Sequence, residues 1–318
     1  MPATVLVTTP SFGRFSPDPR AVLETAGCVV RVPGPPHPLS ERQLRESAAD
    51  AEALIVGLDP VTDEVLAAAP RLKVVAKHGV GVDNIDVAAA ARRGIRVVNA
   101  PATNTDAVAD LAFALILACA RQVVAGHASV TGGGWGPLFG PELAGKTLGV
   151  LGYGRIGQQV ARRAAGFRMR VLAHDPFWPD SDIARAGAVP AGLDECVAAA
   201  DVLTLHMPAT PGAPPVLSRE RLATMKPHAI LVNTARGGLV DEVALAEMLH
   251  AGRLGGAGMD VYATEPPGDG PLVGAPRTVL TPHIGACTHE ANRAMGTTVA
   301  ADVVRVLQGR EPEHPVTV

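Results

Sequence analysis

Thr147-Leu148-Gly149-Val150-Leu151-Gly152-Tyr153-Gly154-Arg155-Ile156-Gly157 opens as an aliphatic run, turns through G-x-G-x-x-G and leads into a helical stretch over 158–165. A bare G-x-G-x-x-G is a weak signal, and the order strand, glycine turn, helix is what gives it meaning. Gly152 permits the tight turn, Gly154 lets the backbone approach a pyrophosphate, and Gly157 lets the helix pack closely on the strand. The N–H groups that open the helix then face the anion. Asp175 lies roughly twenty residues past the turn, at the end of the next strand-like run, where it accepts from ribose hydroxyls and repels a 2′-phosphate. Pro176 and Phe177 follow it, with no Arg among them to bind such a phosphate. These residues predict a doubly wound domain that binds NAD in preference to NADP. The competing reading, a glycine turn in a nucleotide-free α/β protein with Asp175 in solvent, ranks well below it.

Outward from this motif the same period repeats. Strand-like runs are expected at 147–151, 170–173, 202–205, 230–232, 255–259 and 279–280, with helix-like stretches between them. The first hundred residues alternate similarly, with strands expected at 5–7, 29–32, 53–56, 73–76 and 96–98. Alternation of this kind points to parallel sheets with crossover helices. From Thr103 to about Gly126 the chain reads as one long helix joining two domains, with Asp106 and Asp110 in its first turns. Residues 131–141 form a glycine-rich arm, and 290–307 read as a terminal helix that returns to the first domain. The expected architecture is therefore α/β with two doubly wound, Rossmann-like parallel-sheet domains. Residues 1–99 with 287–318 form a discontinuous substrate domain, and the NAD-binding domain, 100–286, is inserted in it.

The bulk properties fit and exclude. The 318 residues suffice for two cores at roughly 150 residues per domain. The hydrophobic share of 47%, the charged share of 19% and a net charge of −3 exclude a disordered chain and argue against nucleic acid as a partner. An aromatic share of 3% leaves few rings for stacking bases. Cys28, Cys119, Cys196 and Cys287 form no CxxC pair, so free thiols, no metal and a reducing compartment are expected. The longest apolar run, 111–120, falls far short of the ~20 residues that span a bilayer. A cytoplasmic protein without a membrane partner is the expectation.

Three strand-end segments hold polar residues that a core would not choose: Asn233-Thr234-Ala235-Arg236-Gly237-Gly238, Asp260-Val261-Tyr262-Ala263-Thr264-Glu265-Pro266-Pro267 and Thr281-Pro282-His283-Ile284-Gly285. In a doubly wound sheet the carboxyl ends of strands face the ligand crevice. Singly, Arg236 reads as a surface cation, Glu265 as a loop charge and His283 as a cap. Together, beside a nicotinamide, they supply what carbonyl reduction needs. A cation holds the carboxylate and polarises the keto oxygen, an imidazole passes a proton as hydride moves, and an acid fixes the tautomer of that imidazole.

These segments resemble the D-isomer-specific 2-hydroxyacid dehydrogenase family, in its phosphoglycerate-dehydrogenase-like branch. Lys77-His78-Gly79-Val80-Gly81-Val82-Asp83-Asn84-Ile85-Asp86 resembles the family's substrate-cradling loop, and Asn104-Thr105-Asp106-Ala107-Val108-Ala109-Asp110 the start of its interdomain helix. Gly140-Pro141-Glu142-Leu143-Ala144-Gly145-Lys146 resembles the segment that leads into its cofactor domain. The resemblance implies Arg236, Glu265 and His283 as catalytic residues. It implies Arg155 and Ile156 at the pyrophosphate, Pro208 on the adenosine side, Ala235 and Gly285 also lining the cofactor, and Asp260 at the nicotinamide carboxamide. It also implies Val80, Gly81 and Asn104 at the substrate carboxylate, and a homodimer formed through the NAD-binding domains.

Departures are visible too. Asp110-Leu111 stands where members commonly have Glu-His, and Pro214 where a Thr is usual. The arm Trp135-Gly136-Pro137-Leu138-Phe139-Gly140 is uncharged where phosphoglycerate dehydrogenases tend to have basic residues. With the chain stopping at Val318, no regulatory domain and no amino-acid feedback are expected. Lys77, with Arg14, is a candidate for a second anionic group on the substrate, a phosphate or phosphonate, and the alternative places Lys77 at a strand end in solvent. The leading expectation is an NAD-dependent oxidoreductase acting on a small 2-hydroxy or 2-oxo acid, phosphorylated or not. A phosphonate-bearing or hydrated-aldehyde substrate on the same site is one alternative, and an NAD(H)-sensing corepressor or scaffold is another.

Overall fold

Runs of Val, Leu, Ile and Ala with no alternation are what a parallel sheet covered on both faces requires, and 53–56, wholly buried, is such a run. The computed structural model describes residues 2–210 and 212–317. They separate into two compact units, Met1–Asn104 with Ala286–Val318, and Thr105–Gly285.

In the first unit the strands are β1 (Thr4–Val7), β2 (Val29–Arg31), β3 (Ala53–Val56), β4 (Val74–Lys77) and β5 (Arg96–Val98), parallel throughout in the order β2-β1-β3-β4-β5. Helices α1 (Asp18–Thr25), α2 (Glu41–Ala48), α3 (Asp63–Ala67) and α4 (Val87–Arg92) are the crossovers. Local chemistry starts three of them. Ser40 and Gln43 form a reciprocal capping box at α2, Thr62 caps α3, and the Asp86 carboxylate accepts the Ala89 N–H at α4. Leu6, Leu44, Leu54, Val56, Val65 and Val75 are in the core.

The second unit begins with α5 (Thr105–Ala120) and α6 (Val123–Thr131). Then follow β6 (Thr147–Leu151), α7 (Arg155–Gly166), β7 (Arg170–His174), α8 (Asp180–Arg185), β8 (Val189–Pro190), α9 (Leu193–Ala199), β9 (Val202–Leu205), α10 (Arg219–Leu222), β10 (Ile230–Asn233), α11 (Glu242–His250), β11 (Gly256–Met259) and β12 (Thr278–Leu280). All seven strands are parallel, in the order β12-β11-β10-β9-β6-β7-β8. The order reverses between β6 and β9, and the crevice outside their carboxyl ends is where such a sheet holds a dinucleotide. Two apolar clusters cover its faces, one containing Leu203, Leu231, Leu245 and Met259, the other Ile116, Val150, Val160 and Val232. The last helix, α12 (His289–Leu307), belongs to the first unit, where it packs on α1 and β4.

The long helix expected over 103–126 is corrected to two helices that meet at a bend of 62°. Gln122 stands at the break with φ of 51°, in the left-handed region. The physical reason is burial: α5 is enclosed through Ala120, whereas α6 has no buried residue, so nothing continues the apolar contact that held α5 straight. Gly140 presses on the end of α5, where a Cβ would lie 1.8 Å from the Ala120 carbonyl oxygen. No single helix among the described residues is long and apolar enough to cross a membrane.

Candidate active site

The glycine turn lies at the point where the strand order reverses. Gly152 has φ of +92°, and a Cβ there would stand 2.6 Å from the carbonyl carbon and oxygen of His206, the residue that leaves β9. Only a glycine lets the two strand exits touch. At Gly157 a Cβ would meet the Gly152 oxygen at 2.1 Å, which is the close packing of helix on turn. Gly154, by contrast, caps α7 and has nothing within 4 Å of its missing Cβ. The residues fit a dinucleotide: two glycines close the turn, and the third leaves open the space before a helix N-terminus that a pyrophosphate needs.

Asp175 follows β7 with its carboxylate already engaged. One oxygen accepts the Tyr153 N–H at 2.7 Å and the other the Phe177 N–H at 2.8 Å. It therefore fixes the glycine turn as well as presenting charge beside it. Arg155 is exposed at the first turn of α7, Ile156 is half-buried against the core, and Pro208 is exposed just beyond β9.

The catalytic candidates come from three loops at the carboxyl edge of the sheet. His283 Nδ1 lies 2.7 Å from Glu265 Oε2. Burial raises the Glu265 pKa, but the His283 hydrogen bond and charge, the Tyr262 N–H and the Arg236 charge outweigh it and hold the carboxyl below its usual range. An ionised Glu265 can only accept, so the Nδ1–H of His283 is the donor and Nε2 is left to face a reactant. His283 itself sits at φ of 53°, unusual for a non-glycine residue, and its N–H donates to the Asp260 and Thr281 carbonyls. Arg236 Nη1 donates to the Ala235 carbonyl at 2.6 Å.

What supports these loops is a set of buried polar bonds. Asp260 is fully buried. One of its oxygens accepts the Thr281 hydroxyl at 2.6 Å and the Ile284 N–H at 2.8 Å, and the other accepts the Gly285 N–H at 2.8 Å. The structure thus gives Asp260 the job of tying down the loop that presents His283. Asn233 closes the Arg236 loop, accepting from Ala235 N–H and donating to the Arg236 carbonyl. Tyr262 donates its hydroxyl to the Met259 and Thr281 carbonyls, joining the Glu265 loop to the His283 loop, and burial raises its pKa to about 12.

Residues 113–285 match the model of the D-isomer specific 2-hydroxyacid dehydrogenase NAD binding domain. A glyoxylate reductase of Thermococcus litoralis is 41% identical over 283 residues, covering 86% of each chain. The chain belongs to the D-isomer-specific 2-hydroxyacid dehydrogenase family. Its second unit is accordingly the NAD-binding domain of such a dehydrogenase. A D-3-phosphoglycerate dehydrogenase of Methanocaldococcus jannaschii is 43% identical over 317 residues, 98% of this chain and 59% of that protein. The chain spans about half of the mycobacterial proteins of the same name, 51% for that of Mycobacterium leprae. Among solved structures, the TT0316 protein from Thermus thermophilus superposes with a TM-score of 0.89 at 42% identity, covering 99% of this chain and 100% of its own.

The remaining candidate residues lie in the first unit. Val80 and Gly81 follow β4 in an exposed to half-buried loop, and the Val80 carbonyl accepts from Asn99 Nδ2 at 2.7 Å. Asn104 is half-buried at the end of the unit's first segment. Lys77 departs from the alternative that placed it at a strand end in solvent. It is buried, and its ammonium donates to the Gly57 carbonyl at 2.6 Å and to Asn84 Oδ1 at 2.7 Å. Asn84 Nδ2 in turn donates to the Gly57 and Asp59 carbonyls. The reason is topological: β3 and β4 are neighbours, so the loop leaving β3 is within reach of Lys77 and has carbonyls to satisfy. Sequence reading missed Tyr262 and Gly237. Only the placement of Gly237 beside Arg236 hinted at it, and nothing local marks Tyr262.

Proposed function

We propose that this protein is an NAD-dependent oxidoreductase that moves a hydride between nicotinamide and the carbonyl or carbinol carbon of a small 2-hydroxy or 2-oxo acid. The observation that carries this reading is the 2.7 Å pair of His283 Nδ1 and Glu265 Oε2 at the carboxyl edge of an NAD-binding sheet. Bound NAD supplies or accepts the hydride. His283 Nε2 gives a proton to the keto oxygen in reduction and takes it back in oxidation, and Glu265 stabilises the imidazolium in between. Arg236 pairs with the substrate carboxylate and draws electron density from the carbonyl. The N–H groups of Val80 and Gly81, with Asn104, are assigned to substrate binding in the first unit, while Lys77 holds the neighbouring loop. Gly152, Gly154, Arg155, Ile156, Gly157, Asp175, Pro208, Ala235, Asp260 and Gly285 line the cofactor. In this assignment 1–99 with 287–318 act as substrate domain and 100–286 as cofactor domain.

A second reading adds a phosphate to the substrate's tail. It is favoured by identities of 43 and 46% to proteins named D-3-phosphoglycerate dehydrogenase. The bonds already made by Lys77 favour the uncharged tail. We also propose a homodimer through the second unit, since α6 has no buried residue and Trp135 and Phe139 are 89% and 84% exposed. None of the four cysteines is in a disulfide, in line with a cytoplasmic setting. NADH absorbance against a panel of 2-oxo acids, phosphorylated hydroxy acids and phosphonates tests the reaction. No turnover of any of them overturns the oxidoreductase, and turnover only of phosphorylated acids decides for the second reading. Sedimentation as a monomer at micromolar concentration rejects the dimer.

A further inference from the structure

Glu242 opens α11 and has no part in the chemistry assigned above. Its Oε1 accepts the Ala263 N–H at 2.7 Å, two residues before Glu265. The Tyr262–Ala263 peptide is held from another side by Gly237, where a Cβ would lie 1.9 Å from the Tyr262 carbonyl carbon and 2.3 Å from the Ala263 nitrogen. The peptide that leads to Glu265 is therefore clamped between the Arg236 loop and the first turn of α11.

The two carboxyls also act on each other. Burial raises the Glu242 pKa, the Ala263 N–H opposes that, and the Glu265 charge adds to it. Glu265 is the stronger acid of the two and stays ionised first.

We propose that Glu242 is a positioning residue for the acid–base pair: its carboxyl fixes the Glu265 loop through the Ala263 N–H. The kinetic consequence rests on the proposed catalytic role of His283, whereas the order of the loop does not. The test is amide hydrogen exchange at Ala263 in the full chain, beside kcat and KM for carbonyl reduction. Glu242→Ala takes the acceptor from the Ala263 N–H, so its exchange should rise about tenfold and kcat should fall with little change in KM. Glu242→Gln, which keeps an acceptor, should restore both. Exchange in Glu242→Ala equal to the parent's, or a loss in Glu242→Gln as large as in Glu242→Ala, overturns the proposal. If His283→Asn retains turnover, the catalytic reading fails while the exchange at Ala263 still decides the role of Glu242.

Discussion

Replacing Glu265 by Gln removes one charge at a bond whose geometry is known. His283 Nδ1 and Glu265 Oε2 are 2.7 Å apart, which puts the centres of the two charged groups about 4 Å apart. With an effective dielectric of about 40, between the ~20 of a protein surface and the ~80 of water, the attraction is ~2 kcal/mol. The side chains of His283 and Glu265 remain 39% and 30% exposed, so solvent and salt take part of it. A working figure of ~1 kcal/mol remains.

The sign differs in its consequence for the two directions. In the proposed mechanism reduction needs the imidazolium, so its rate falls as pH rises, and Glu265→Gln should move that upper limb down. Oxidation needs the neutral imidazole, so its lower limb should move down by about the same amount and the variant should gain activity at acid pH relative to its own plateau. Gln keeps an acceptor for the Nδ1–H, so the ring stays oriented. The assay is kcat/KM against pH in both directions, followed by NADH absorbance. Limbs that stay in place, or a uniform loss at every pH, would refute the pairing as the source of the proton.

Asp260→Ala takes the acceptor from three donors, the buried Gly285 N–H and the part-buried Thr281 hydroxyl and Ile284 N–H, at ~1–3 kcal/mol for a buried group left unpaired. Urea denaturation should show a loss of about 3 kcal/mol or more, with faster amide exchange at Ile284 and Gly285, and a change under ~1 kcal/mol would contradict the role given to it. Gly157→Ala places a Cβ against the Gly152 oxygen and should weaken NAD binding at least tenfold, ~1.4 kcal/mol, by calorimetry; unchanged affinity would show that the turn can yield. The parent should bind NAD at least ~10-fold more tightly than NADP. Asp175→Ala should narrow that gap while weakening both cofactors, because the Tyr153 N–H loses its partner, and equal affinities in the parent would reject the ribose role of Asp175.

The strands were legible because a parallel sheet covered on both faces is written in unbroken aliphatic runs, as at 53–56 and 230–232. The glycine turn was legible for a related reason, since Gly152, Gly154 and Gly157 each answer a local steric demand. The break at Gln122 was not. Residues 103–126 keep a helical composition on both sides of it, and the bend depends on where burial ends, which no neighbour in sequence reports. The two-residue strand β8 was missed because it is too short to show a period.

Sequence order alone determined the α/β class, the NAD turn and the residue types able to reduce a carbonyl, because each depends on neighbours within a few positions. Tertiary structure decided what those residues are bonded to. Lys77 reads in sequence as a cation available to a ligand, yet the loop after β3 takes up its ammonium, because adjacent strands bring Gly57 and Asn84 to it. For Asp260 the resemblance implies a place at the cofactor, and the fold adds a second task, since the donors of 281–285 reach its carboxylate because β11 and β12 are neighbours. A buried charge must find partners, and which partners lie within 3 Å is set by strand order, a property of the folded sheet that no local stretch of sequence contains.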